Sequence, residues 1–135
     1  MTNRGQIEEI IKSLYAARLN KDAATTVKDF AEDGVFGVYG RGTGVAALSQ
    51  PTKGKAAIRS AVHGLVETWH FDDWNQIDLV IDGEKAVLHW RAKVTYLPTN
   101  KSEVFDCFDI ITFRDGKIVD FRQSTDTAMI MRLAT

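Results

Sequence analysis

The sequence has one cysteine, three histidines and almost no excess of charge, with 17 basic against 18 acidic side chains and a formal net charge of −1 over 135 residues. Each scarcity excludes something. A lone cysteine, Cys107, can form no internal disulfide and no thiolate metal site, and it fits a reducing, cytoplasmic setting. The near-zero charge offers no basic surface for nucleic acid and no acidic tail. No run is long and apolar enough for a membrane span, and the opening MTNRGQIEEIIKSL is too acidic for a signal peptide. There is no internal repeat and no low-complexity segment. Residues 1–135 therefore read as a single domain, long enough to bury a core.

Two further absences concern ligands. Gly40-Arg41-Gly42-Thr43-Gly44 is rich in glycine, but no G-K-[ST] follows and the strand–glycine–helix spacing of a dinucleotide fold is missing. It reads as a flexible loop, and no cofactor is expected. His70 stands near Asp72 and Asp73 without a second histidine at helical spacing, so no metal site is expected either.

What is present is strong local punctuation. Asn3 and Gln6 resemble a capping box ahead of a helix over roughly 4–20, in which Ile7, Ile10, Ile11, Leu14 and Arg18 share one stripe. Tyr15 flanks that stripe and can pack its ring while aiming its hydroxyl elsewhere. Asn20-Lys21-Asp22 breaks this helix and caps a second, over about 22–32. A short strand follows at 34–39, then a third helix over about 54–69 with Ile58, Val62, Leu65 and Trp69 on one face and His63 beside it. Trp69 to Trp74 reads as an aromatic connection.

The remainder is strand-like. Ile77–Ile81 ends at Asp82-Gly83. Lys85–Leu97 alternates, with Val87, His89, Arg91, Lys93 and Thr95 on one side and Leu88, Trp90, Ala92, Val94 and Tyr96 on the other. Phe105 to Asp126 forms a hairpin around Asp115-Gly116, the dipeptide favoured where both turn residues need positive φ. A last helix spans about 127–133. With a two-residue turn and an unbroken ladder, Asp109 is expected opposite Arg122, Cys107 opposite Ser124 and Phe105 opposite Asp126. Asp109, Arg122 and Asp126 would then share a face, and Phe108, Ile110, Phe121, Gln123 and Thr125 the other. Asp126 also stands where it would cap the last helix. Asp109 and Arg122 could be a simple cross-strand ion pair, and Cys107 a small buried apolar group.

Helix, helix, strand, helix and a four-strand meander make an α+β fold, a curved and mostly antiparallel sheet wrapped around the N-terminal helix with a conical pocket between them. That layout resembles the nuclear-transport-factor-2-like α+β barrel, and the resemblance spans essentially the whole chain. Asp29-Phe30-Ala31-Glu32-Asp33 before a strand, Gly54-Lys55-Ala56-Ala57-Ile58-Arg59 at a helix start and Asp115-Gly116-Lys117-Ile118-Val119 through Asp126 resemble phrases of that superfamily. The last is similar to the final hairpin of SnoaL-like polyketide cyclases. Against ketosteroid isomerases, Tyr15 and Asp109 fall on the pair that hydrogen-bonds the substrate carbonyl, while the general base falls on Val38, which cannot take a proton. Against limonene-epoxide hydrolases, Arg91 and Asp126 fall on two of three triad residues, and Lys93 replaces the third. In SnoaL-like cyclases an acid at the end of the last strand is the acid/base, a place similar to that of Asp126.

Two expectations follow. In the first, the resemblance implies an isomerase, cyclase or dehydratase moving a proton next to a carbonyl. Asp126 is the acid or base, Tyr15 and Asp109 stabilise the developing oxygen charge, and Arg91, Lys93, Arg122 and His89 bind an anionic group of the substrate. In the second, the chain is a noncatalytic ligand-binding or dimerisation module of the same fold. In either case a small molecule is expected in the cone. A homodimer is expected through the sheet face bearing Trp90, Phe108, Ile110 and Phe121. Nucleic acid and membrane are not expected partners.

Overall fold

A computed structural model of the chain describes residues 1–39 and 50–135. The glycine-rich stretch at 40–44 lies outside the described residues.

The first helix, α1 (Arg4–Leu19), begins as its residues dictate. The Asn3 side chain accepts from the Gln6 amide, and the Gln6 side chain accepts from the Asn3 amide, both at 2.9 Å. The second helix, α2 (Ala23–Thr26), is a single turn rather than the longer helix expected over 22–32. Asp22 starts it, accepting from the Thr25 amide and hydroxyl. The β-branched run Thr25-Thr26-Val27 disfavours its continuation. The backbone at Phe30 instead enters β1 (Phe30–Val38), earlier than the expected strand.

A two-residue strand, β2 (Thr52–Lys53), leads into α3 (Lys55–Thr68). The aromatic stretch after α3 is not a connection. It opens β3 (Trp69–Asp82), which runs antiparallel to β4 (Lys85–Tyr96) with two breaks in register, one at Asp73, whose φ is +53°. Then come β5 (Lys101–Arg114), β6 (Lys117–Thr125) and α4 (Thr127–Ala134).

The six strands among the described residues form one curved, unclosed sheet in the order β2-β1-β6-β5-β4-β3. Every pairing is antiparallel except β1 with β6. The inward row of β4, Ala86, Leu88, Trp90, Ala92 and Val94, is buried throughout, so the alternation of that strand translates directly into an inner and an outer face. The α1 residues Ile7, Ile11 and Leu14 and the α3 residues Ile58, Val62 and Val66 close the core against this inner face. Among the described residues, no helix is long and apolar enough to cross a membrane.

The hairpin departs from the unbroken ladder. Its turn is as expected, with positive φ at Asp115 (+51°) and Gly116 (+75°). Arg114 pairs with Lys117 and Phe113 with Ile118, but Thr112 pairs with Asp120. Val119 is the extra residue of a β-bulge. From there on Asp109 faces Gln123 rather than Arg122, and Cys107 faces Thr125 rather than Ser124. A shift of one residue exchanges the faces of β6. Phe121, Gln123 and Thr125 turn inward, whereas Arg122 and Ser124 turn outward. The gain is apolar: Ile118 and Phe121 are both buried, at a spacing strict alternation forbids, and Phe121 packs 5.5 Å from Phe36 between ring centroids. Of the aromatic face expected to be shared at the outside of the sheet, Trp90 and Phe121 are core residues, and only Phe108 and Ile110 are exposed.

Candidate active site

Inside the cone lies a cavity of about 80 Å³, several times what one water needs. Its walls come from α1 (Leu14, Tyr15, Arg18), α3 (Val62, Leu65), β1 (Phe36, Val38), and the inward rows of the sheet, among them Trp90, Cys107, Phe121, Gln123 and Thr125. Most of this lining is apolar. The polar groups are few and come from different elements.

Behind one wall sits Asp109, which has no solvent exposure. A carboxyl group in such a place must find donors, because leaving it unsatisfied costs several kcal/mol on the order of an ion's desolvation. It finds three. The Tyr15 hydroxyl donates to Oδ2. Trp90 Nε1 also donates to Oδ2, at 3.1 Å, and Gln123 Nε2 donates to Oδ1 at 3.0 Å. The three donors line the cavity, and Asp109 itself lies one layer deeper. Tyr15 is held from the other side by Trp74, stacked on it at 4.7 Å between centroids and 24° between planes.

The electrostatics follow from burial. Removal from water pushes the Asp109 carboxyl up to about 7, against the pull of its hydrogen bonds from Tyr15, Gln123 and Trp90. Burial, and then the neighbouring Asp109 charge, raise the Tyr15 hydroxyl well above its ordinary value. Asp109 thus exchanges its proton near neutrality while in contact with a phenol that faces the cavity. Cys107 is no nucleophile here: burial pushes its thiol up to about 12, and its Sγ sits 3.1 Å from Thr125 Oγ1.

The structure brings Tyr15 and Asp109 together, and it carries the other expected site residues away from them. Asp126 is exposed and caps α4, accepting from the Met129 amide at 3.1 Å. It borders a groove on the outside with Val104, Asp106 and Phe108. His89, Arg91 and Lys93 lie on the outer side of β4, because that strand's inward row is the Leu88–Trp90–Ala92 row. His89 Nε2 lies 2.8 Å from Asp106 Oδ2, and Arg91 Nε lies 2.7 Å from Oδ1. Hydrogen bonds from Arg91 and His89 hold the Asp106 carboxyl down at about 2. Arg122, turned outward by the bulge, pairs with Asp120 at 2.8 Å. Val38, where the resemblance puts a base, lines the cavity as a hydrocarbon.

Three wall residues were not singled out by sequence. Trp90 was expected on the sheet face of a homodimer and is instead fully buried, Gln123 was assigned to the wrong face by the unbroken ladder, and Arg18 was one member of an apolar stripe. Only Arg18 carried a signal, as the single cation on that stripe.

A family model for the SnoaL-like domain matches residues 11–121. The chain belongs to the SnoaL-like domain family. No curated protein matches it. Among solved structures, a candidate isomerase from Bacillus subtilis superposes with a TM-score of 0.86 at 18% identity, covering 99% of this chain and 96% of that one. An NTF2-like protein of unknown function from Burkholderia pseudomallei gives 0.84 at 18% identity, over 100% and 99% of the two chains. TerC, co-crystallised with polyporic acid, gives 0.79 at 21% identity, over 95% and 97%. At these identities the likeness to solved structures carries the fold of this SnoaL-like domain.

The raised Asp109 carboxyl makes stability depend on pH with a definite sign. Unfolded, Asp109 titrates near 3.8; folded, near 7. Between these values the folded protein holds a proton the unfolded chain has released. The stabilisation is therefore complete below the lower value, declines as pH rises towards 7, and is level beyond it. Urea unfolding at pH 5 and pH 7 is expected to show the wild type losing about 2 kcal/mol more than Asp109→Asn over that interval. A difference between the two proteins that does not change with pH would contradict the assignment.

Proposed function

We propose that this SnoaL-like domain binds a small carbonyl or enol compound in its cavity and assists proton transfer at the ligand's oxygen through Tyr15, an isomerase, cyclase or dehydratase activity. The observation that carries this reading is the hydrogen bond from the hydroxyl of Tyr15, a residue of the cavity wall, to the fully buried Asp109, whose carboxyl burial pushes up to about 7. A ligand oxygen placed against Tyr15 would take a hydrogen bond from its hydroxyl as negative charge develops, and a protonated Asp109 would donate to the phenol in turn. Donors fixed in advance in a dry site stabilise such charge far more than water does. Gln123, held to Asp109, offers its side-chain amide as a second polar group beside the same position.

The reaction this supports is one in which the protein polarises or protonates an oxygen. Among the described cavity residues there is no carboxylate and no imidazole facing the ligand space, and the segment 40–49 contains neither Asp, Glu nor His. A carbon proton would therefore leave to solvent or to a basic group on the ligand itself. The same observation favours a second reading, a noncatalytic binding protein in which the Asp109 cluster only shapes the pocket. The names of the neighbours, a candidate isomerase and a protein crystallised with polyporic acid, support a small-molecule role of either kind.

Isotope exchange separates the two. A panel of small aryl ketones and cyclic enones in D2O, followed by proton NMR, is expected to include compounds whose exchange or isomerisation the protein accelerates. Tyr15→Phe is expected to lose about 10²–10³-fold of that acceleration. Full retention in Tyr15→Phe contradicts the role of Tyr15. Compounds that quench the cavity tryptophans yet never exchange faster favour the binding protein.

We also propose a homodimer through the outer face of the sheet. Val87 and Ile110, paired in register, and Phe108, stacked on His89 at 4.4 Å between centroids, form an exposed apolar centre. Ion pairs of both signs, Arg91 with Asp106 and Arg122 with Asp120, border it, so a second copy related by a two-fold axis meets complementary charge. Sedimentation at micromolar concentration is expected to give twice the 15.1 kDa chain mass, and Phe108→Glu to give the monomer. A monomeric wild type contradicts this.

A further inference from the structure

The cavity contains a buried cation with no counter-ion among the described residues. Arg18, at the last turn of α1, is 7% exposed and lines the cavity. One amino group, Nη2, donates to the Trp69 carbonyl at 2.8 Å, and the guanidinium carbon lies 4.0 Å over the Phe71 ring. Among the described residues no carboxylate lies within ion-pairing distance of it. Burial draws its pKa down to about 10, so it remains a cation at neutral pH.

A guanidinium has five N–H donors, and water is the usual partner of those left over. Burying this charge costs several kcal/mol unless an anion and hydrogen bonds compensate it. One carbonyl and one aromatic face compensate in part. The same helix stripe would carry a methionine or leucine at that cost-free, as it does at Leu14. The cation is kept where it faces the ligand space, one helical turn from Tyr15, so that the two side chains neighbour each other on the cavity wall.

We propose that Arg18 is an anion-recognition residue, and that the cavity takes a small planar carboxylate whose charged group pairs with the Arg18 guanidinium while an oxygen at its other end meets Tyr15. The inference rests on the reading of the cavity as a ligand site and adds the charge of the ligand to it. The apolar walls, with Phe36, Phe71 and Trp90 among them, fit a flat ring between the two polar ends. A carboxylate matches the planar fork of a guanidinium with two parallel hydrogen bonds, which an ammonium cannot reproduce.

Benzoate and its uncharged isostere benzamide are the probes, titrated against tryptophan fluorescence and by calorimetry. Wild type is expected to bind benzoate at least tenfold more tightly than benzamide. Arg18→Met is expected to abolish that preference and to leave benzamide within about twofold, an interaction of the size given by one charged hydrogen bond. If Arg18→Met does not fold, Arg18→Lys replaces it, and a several-fold loss for benzoate with benzamide unchanged supports the proposal. Equal binding of the two probes by wild type overturns the charge assignment and leaves the cavity a ligand site. Binding of neither overturns the cavity reading, and this inference with it. An equal loss of both probes in the variants overturns the role of Arg18 and makes it a tether between α1 and β3.

Discussion

A carboxyl group sealed from water is the constraint around which this domain is arranged. Asp109 cannot stay where it is unless donors reach it, and the three that do come from three other elements: Tyr15 on α1, Trp90 on β4 and Gln123 on β6. Each hydrogen bond taken singly contributes about 1 kcal/mol net, but an orphaned buried carboxyl would cost more than all of them supply. The cluster therefore fixes how the helix sits across the sheet, and it fixes which atoms face the cavity. Tyr15, Trp90 and Gln123 line the ligand space while each donates to Asp109 behind it.

The same separation runs through the whole sheet. Charges that can be solvated are on the outside, where His89, Arg91 and Asp106 satisfy one another, and Arg122 and Asp120 do likewise. The inside is hydrocarbon apart from a short set of groups, and two of them are out of the ordinary. One is a carboxyl that burial pushes up to about 7, and the other is a guanidinium with no anion beside it among the described residues. Both are costs to folding in a small domain whose net stability is of order 5–15 kcal/mol. Perturbed ionisable groups that gather on one cavity mark it as a place where a ligand supplies the missing interactions.

Much of the fold was legible in the residues, because it depends on local chemistry. Asn3 with Gln6 sets a helix start, Asp115-Gly116 sets a turn, and the alternation from Ala86 to Val94 sets two faces. What was not legible depends on counting residues across strands. Val119 looks like any other member of an alternating strand, and nothing in its side chain announces a bulge. The need that creates it, two apolar residues at Ile118 and Phe121 both reaching the core, exists only once the sheet is curved around a helix. That single residue decides whether Arg122 or Gln123 meets Asp109. For the same reason Gln123 went unseen as a donor to Asp109, while Asp126 keeps only the capping role its place before the last helix offered. The Tyr15–Asp109 contact was reached through resemblance, since no pattern along one chain links residues that far apart.

The central claim is that Asp109 holds its proton up to neutral pH because of where it is buried. Carbon-13 NMR of the aspartate side-chain carboxyl groups in the wild-type protein, with the Asp109 resonance assigned by its loss in Asp109→Asn, measures this without any ligand. The account predicts a midpoint near 7. A carboxyl that titrates with the exposed aspartates, near the ordinary 3.9, would contradict it.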